Sequence, residues 1–120
     1  MLEKRIVIVD DDESIRKTFF LLLTSRYNVY LARDAREALA RFQKAPVDLI
    51  IADFRLPYKN GLQMLHDFRQ AGYQGKIILI SAFPEQVKTE ELQALGVDHL
   101  FVKPLDLKAF TETVDRLLET

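Results

Sequence analysis

Three acidic residues, Asp10-Asp11-Asp12, follow directly on the apolar run Ile6-Val7-Ile8-Val9. Three later runs end in the same manner, each in a side chain able to do chemistry. Val47–Ala52 leads to Asp53, Ile77–Ile80 leads to Ser81, and Leu100-Phe101-Val102 leads to Lys103. If these runs are parallel strands, carboxylates, a hydroxyl and an ammonium gather at one edge of one sheet. Carboxylates placed so close repel, so without a cation at least one must keep its proton to an unusually high pH. Oxygen ligands with no His or Cys beside them suit a hard ion, Mg²⁺ first and Mn²⁺ as an alternative. Such an ion neutralises phosphoryl oxygens and orients an in-line transfer. Lys103 then offers a point charge for a phosphoryl oxygen and Ser81 a hydroxyl donor. Asp53 is the natural nucleophile, because carboxylates can accept phosphoryl groups as acyl phosphates.

The elements that must position these groups are legible from periodicity. Strand-like runs are expected at Arg5–Asp10, Val29–Ala32, Leu49–Asp53, Ile77–Ser81 and Leu100–Val102. Three are almost wholly apolar, as strands covered on both faces should be. Between them lie stripes of helical period, read as core packing. The first helix carries Ile15, Phe19, Leu22 and Leu23, with Asp12 as its N-cap. The second carries Ala35, Ala38, Leu39 and Phe42, opened by Asp34 with Glu37 three residues later, a capping-box-like pair. The third carries Leu62, Leu65 and Phe68 and stops before Gly72; the fourth starts near Pro84 and stops at Gly96. The fifth carries Leu107, Phe110, Val114, Leu117 and Leu118 behind an Asp106 cap.

Strand and helix alternating over short connections imply a parallel sheet with right-handed crossovers. Five strands favour the flavodoxin-like, doubly wound α/β order 2-1-3-4-5 with five helices. Its switch point lies between strands one and three, where ligands bind. That crevice is bounded by Asp10 and Asp11 at the end of one strand and Asp53 at the end of the other, so topology alone brings the carboxylates together.

The bulk composition narrows the classes. A chain of 120 residues is expected to form one domain spanning 1–120, with no output domain. With 17 basic against 18 acidic residues the net charge is −1, which argues against direct grip on nucleic acid or an anionic membrane. The absence of cysteine excludes disulfides, thiolate metal sites and cysteine nucleophiles. No apolar run approaches a membrane span, and Met1 opens onto the charged Glu3-Lys4-Arg5 rather than a signal-peptide core, so a cytoplasmic location is expected. His66 and His99 stand apart from other candidate ligands and read as ordinary surface residues. Tyr58 and Lys59 read as a solvated loop, and Glu85, Lys88, Glu90 and Glu91 as a wet face.

Taken together, the acidic pair after strand one, "DFRLPYKNG" with Asp53, Pro57 and Gly61, Ser81-Ala82 after strand four, and Lys103-Pro104 after "GVDHLFV" resemble the receiver domain of two-component response regulators over essentially the whole chain. The resemblance implies that Asp53 accepts a phosphoryl group from a histidine kinase, a phosphotransfer protein or a small-molecule donor. It implies Mg²⁺ held directly by Asp11, Asp53 and the backbone carbonyl of Arg55, and by Asp10 through water. Lys103 would bind the phosphoryl group and Ser81 would swing in to hydrogen-bond it. The Lys103–Pro104 bond would be cis. The fourth helix, fifth strand and fifth helix would form the surface that changes, for an output domain, an effector protein or a homodimer. Such a protein is a signalling phosphoacceptor and catalyses only its own phosphorylation and dephosphorylation.

The chain departs from the family pattern at the switch position three residues before Lys103, usually aromatic and here Leu100. Phe101 falls on the opposite face by strand alternation, so a readout through packing of Leu100 is expected. Arg55 and Phe83 occupy the positions that flank the site, where their bulk would obstruct an attacking water. Two other classes fit less well. An aspartyl phosphatase of the haloacid-dehalogenase kind wants a second Asp where Arg55 stands, together with a cap for its substrate. A flavodoxin-like cofactor binder wants a phosphate cradle in the first loop, which here is acidic and lacks glycine. A degenerate receiver is disfavoured because each acceptor, metal and phosphoryl-contact position is filled.

Overall fold

The computed structural model describes residues 4–119; the expectation resting on Met1 and Glu3 lies outside them. Among the described residues, five strands and five helices alternate: β1 (Arg5–Val9), α1 (Glu13–Leu23), β2 (Asn28–Ala32), α2 (Ala35–Lys44), β3 (Leu49–Asp53), α3 (Gly61–Gln70), β4 (Lys76–Ser81), α4 (Thr89–Leu95), β5 (His99–Val102) and α5 (Leu107–Leu118). The sheet has the order β2-β1-β3-β4-β5 and every pairing is parallel. The fold is therefore the flavodoxin-like one expected from the alternation. Among the described residues, no helix is long and apolar enough to cross a membrane.

Strand alternation splits the core into two layers. Val7, Val9, Ile50, Ala52, Ile77 and Leu79 face Ala38 of α2 and Leu62, Leu65 and Phe68 of α3. Ile6, Ile8, Leu49, Ile51, Ile78 and Ile80 face Phe19 and Leu23 of α1 and Phe110, Val114 and Leu118 of α5. Both layers are buried, so β3 has no exposed face. Burying large apolar side chains on both faces of one sheet is the main favourable term holding the domain together. Leu100 and Phe101 separate as expected, Leu100 packing on the first layer and Phe101 in the second.

Several boundaries differ from the sequence reading. Asp10 lies outside β1, although its N–H still donates to the Ala32 carbonyl at 3.1 Å. Pro84 heads a 3₁₀ turn over Pro84–Gln86 rather than α4. Val87 and Lys88 are extended, because Val87 turns in to pack on the first core layer, and α4 begins only at Thr89. The Asp34 carboxylate caps α2 through the Glu37 N–H, yet Glu37 reaches past Asp34 to the N–H and guanidinium of Arg33, so the box is half formed. A full capping box closes α3 instead, where Asn60 and Gln63 bond each other's backbone N–H. Leu107 is 41% exposed rather than in the core, since it opens α5 ahead of the turns that pack on the sheet. Asp12 and Asp106 cap α1 and α5 as expected.

The start of α3 abuts the third strand. Gly61 N–H donates to the Phe54 carbonyl at 2.7 Å, and a Cβ at Gly61 would lie 2.4 Å from the Asp53 carbonyl oxygen. Backbone cannot yield as a side-chain tip can, so Gly61→Ala should cost about 1–3 kcal/mol by overpacking. Gly72, at φ +97° with open space around it, carries only the backbone penalty of a left-handed residue. Urea denaturation should therefore rank Gly61→Ala as the more damaging; equal losses would show that the close approach to Asp53 is not a constraint.

Candidate functional site

The carboxyl edge of the sheet gathers the groups that the strand ends supply. One carboxylate oxygen from each of Asp10, Asp11 and Asp53 lies within 4.8 Å of the others. Asp10 and Asp53 are buried and Asp11 is exposed, so the cluster opens to solvent on one side. Lys103 Nζ donates to Asp53 Oδ2 at 2.9 Å and stands 3.7 Å from Asp10 Oδ2. The other oxygen of Asp53, Oδ1, accepts from the Arg55 N–H at 3.3 Å. Asp10 Oδ1 accepts from the Asp12 N–H at 2.9 Å, which ties the acidic loop into a turn before α1. The Lys103–Pro104 peptide is cis.

One ammonium cannot compensate three carboxylates, and the imbalance falls on Asp10. Burial raises its pKa most. The N–H of Asp12 and the charge of Lys103 pull it back, while the charge of Asp53 raises it, leaving it at about 6. Burial works against the Lys103 ammonium too, yet the hydrogen bond it donates to Asp53 and the charges of Asp10 and Asp53 outweigh it, so its pKa rises. The donor set is all oxygen, converging, and partly open to water, and it fits a hard divalent cation such as Mg²⁺.

The remaining candidates border this cluster. Ser81 is buried at the end of β4, next to β3 in the sheet, and its Oγ accepts from the Phe83 N–H at 2.9 Å. Its carbonyl accepts from the Lys103 N–H at 3.0 Å, joining the ends of β4 and β5. Leu100 is half-buried against the layer that includes Leu92 and Leu95 of α4. Arg55 and Phe83 flank the edge and also touch each other, the guanidinium lying 4.3 Å from the ring centroid. That cation–π contact bridges the β3–α3 and β4–α4 connections, and no sequence spacing announces it. Arg16 was missed as well; one turn into α1, it donates to the Asp10 carbonyl.

Residues read as bystanders mostly remain so. His66 is exposed. His99 is half-buried and lies against Phe101, ring centroids 4.2 Å apart, because residues two apart on β5 share a face. Tyr58 is 92% exposed with φ +73°, and Lys59 pairs with Asp67 of α3.

Asp10 gives the site a signature in pH. Its pKa rises on folding from the ordinary 3.8 to about 6, so between those values the folded state binds more protons than the unfolded one. Stability without divalent cation must then fall as pH rises through that window, and stay lowered above it. In EDTA, Asp10→Asn should exceed the wild type in urea midpoint at about pH 7.5 and lose that advantage near about pH 4. An advantage independent of pH would contradict the assignment.

Comparison with known proteins agrees with this geometry. Residues 6–115 match the family model described as "Response regulator receiver domain". Response regulator RR06 of Streptococcus pneumoniae is 29% identical over 94% of this chain and 52% of its own length. The alkaline phosphatase synthesis transcriptional regulatory protein PhoP of Bacillus subtilis is 30% identical over 98% of this chain and 49% of its own. The chain thus spans about half the length of these curated relatives. Among solved structures, the response regulator TrrA of Thermotoga maritima in complex with Mg(2+)-BeF is similar with a TM-score of 0.84 at 31% identity, covering 97% of this chain and 100% of that one. Chemotaxis protein CheY4 of Vibrio cholerae gives a TM-score of 0.83 at 32% identity, covering 96% and 98%. The order of the strands, the acidic edge and the match over residues 6–115 agree, and the chain belongs to the response regulator receiver domain family of two-component signalling.

Proposed function

We propose that this domain is a phosphorylatable switch. Asp53 accepts a phosphoryl group from a histidine kinase or phosphotransfer protein in a Mg²⁺-dependent reaction, and the change alters the α4, β5 and α5 surface that controls an output domain or partner. The observation that carries this reading is the Lys103–Asp53 contact of 2.9 Å set beside the converging oxygens of Asp10 and Asp11. A relative solved in complex with Mg(2+)-BeF supports the same chemistry here.

Asp11, Asp53 and the Arg55 carbonyl would hold Mg²⁺ directly, with Asp10 acting through water. When bound, the ion supplies positive charge to the phosphoryl oxygens during in-line transfer. An Asp53 carboxylate oxygen forms the new O–P bond as the P–N bond to the donor imidazole breaks; the ring nitrogen keeps the electron pair and takes a proton. Burial and the Lys103 and Arg55 contacts fix the Asp53 carboxylate before the donor arrives. Lys103 then passes from a carboxylate to a phosphoryl oxygen without leaving the edge. Ser81 has its own hydroxyl hydrogen to donate while its Oγ accepts from Phe83 N–H. Turning toward the phosphoryl group, it releases that N–H and so disturbs the connection into α4. Leu100, packed on the same side as Leu92 and Leu95, transmits the change by repacking.

Incubation with Mg²⁺ and acetyl phosphate should add one phosphoryl mass to the intact protein, absent in Asp53→Asn and in EDTA. A wild type that binds Mg²⁺ and Mg²⁺–beryllium fluoride yet never gains the adduct from any donor would overturn the acceptor role. The Arg55–Phe83 pair should slow the water that hydrolyses the acyl phosphate. Arg55→Asn with Phe83→Ser should raise the dephosphorylation rate about tenfold, roughly 1.4 kcal/mol of barrier. An unchanged rate would remove the pair from the account.

A further inference from the structure

α4 is the least anchored helix. It has seven residues, none buried, and no side chain caps its N-terminus. Its approach from β4 is a 3₁₀ turn followed by the extended Val87 and Lys88. Helices so short are marginal alone, and elements with little buried apolar surface open locally at low cost. Leu92 and Leu95 give α4 some packing on the first core layer.

Beyond the packing of Leu95 and the bond from Val97 N–H to the Leu92 carbonyl, its C-terminus is held by one polar side chain. Arg69, in the last turn of α3, donates Nε to the Leu95 carbonyl at 2.8 Å and Nη2 to the Gly96 carbonyl at 3.3 Å. Nη1 donates to the Tyr73 and Gly75 carbonyls at 2.9 and 3.1 Å, and the guanidinium lies 5.3 Å from the Tyr73 ring centroid. The two halves of the fork therefore do different things. One closes the loop from α3 to β4; the other caps α4, satisfying carbonyls that every helix end leaves open. Gly96 at φ +69° keeps this end compact, and a Cβ there would lie 3.2 Å from Arg69 Nη2.

From this geometry we infer that Arg69 is a latch on α4 that opposes the phosphorylated state. α4 is tethered at two ends: its approach by the Ser81–Phe83 bond and the packing of Val87, and its C-terminus by Arg69. The rod between latch and site is α3, whose first residue is seated against the Asp53 backbone. The inference rests on the proposed reading in one respect, that Ser81 leaves Phe83 when Asp53 is occupied. Displacement of α4 then breaks the Leu95 and Gly96 bonds, while the Tyr73 and Gly75 bonds keep Arg69 in place for reclosure. Because coupling is reciprocal, weakening the latch must favour occupancy at Asp53.

Two variants of the full chain test this. Arg69→Gln removes the whole fork; Gly96→Ala crowds its α4 side and also carries the backbone penalty of a left-handed residue, so Arg69→Gln decides where the two disagree. In both, hydrogen exchange of amides 89–96 should accelerate about tenfold with β1 and β3 unchanged. Affinity for Mg²⁺ with beryllium fluoride, a phosphoryl mimic, should rise about fivefold. Exchange that is unaltered, or that accelerates uniformly with the loss of global stability, overturns the latch. Local acceleration with unchanged beryllium fluoride affinity overturns its opposition to the phosphorylated state. If even the wild type fails to bind the mimic, the phosphoacceptor reading falls, and the exchange data still decide whether Arg69 latches α4.

Discussion

The arrangement depends on an electrostatic conflict that the sheet creates and cannot resolve. Adjacent parallel strands β1 and β3 end side by side, so Asp10, Asp11 and Asp53 are delivered to one place by backbone pairing. The apolar residues that precede them are buried on both faces, so relieving the repulsion by withdrawing a strand would expose core. Lys103 compensates part of the charge, yet burial first, and the Asp53 charge after it, still hold the Asp10 pKa above the usual carboxylate range. A site in this condition favours whatever brings positive charge. That is the physical sense in which the fold is prepared for a divalent cation and for the phosphoryl chemistry proposed with it.

The sheet and the acidic edge were legible because two strong signals agree. Short continuous apolar runs and stripes of period 3.6 place the elements, and the switch-point rule places the strand ends. β3 appears with the expected bounds, and the other strands differ by a residue. What the pattern could not give were interactions settled by local competition. Glu37 had two partners within reach and took Arg33 over the Asp34 N–H. Val87 could continue a helix or enter the core, and burial won over the helical start that Pro84 suggests. The Arg55–Phe83 stack and the Arg69 fork join residues 28 and 26–27 positions apart, across loops whose path no periodicity encodes.

The two core layers also divide the labour of transmission. Phe101 is packed between His99 and Phe110 in the α1–α5 layer, while Leu100 packs on the opposite layer, the one that also takes Leu92 and Leu95 of α4. A ring and a leucine at this position choose among the same staggered χ1 rotamers, but the smaller leucine side chain sweeps less volume and has a shorter reach when it switches. A receiver with leucine here needs another means of making α4 respond as a unit. A short helix with no buried residue, suspended between Ser81's turn and the Arg69 fork, supplies it. Its two tethers are hydrogen bonds at opposite ends, added to the shallow packing of the half-buried Leu92 and Leu95, so loss of a tether lets the helix shift while both core layers stay intact.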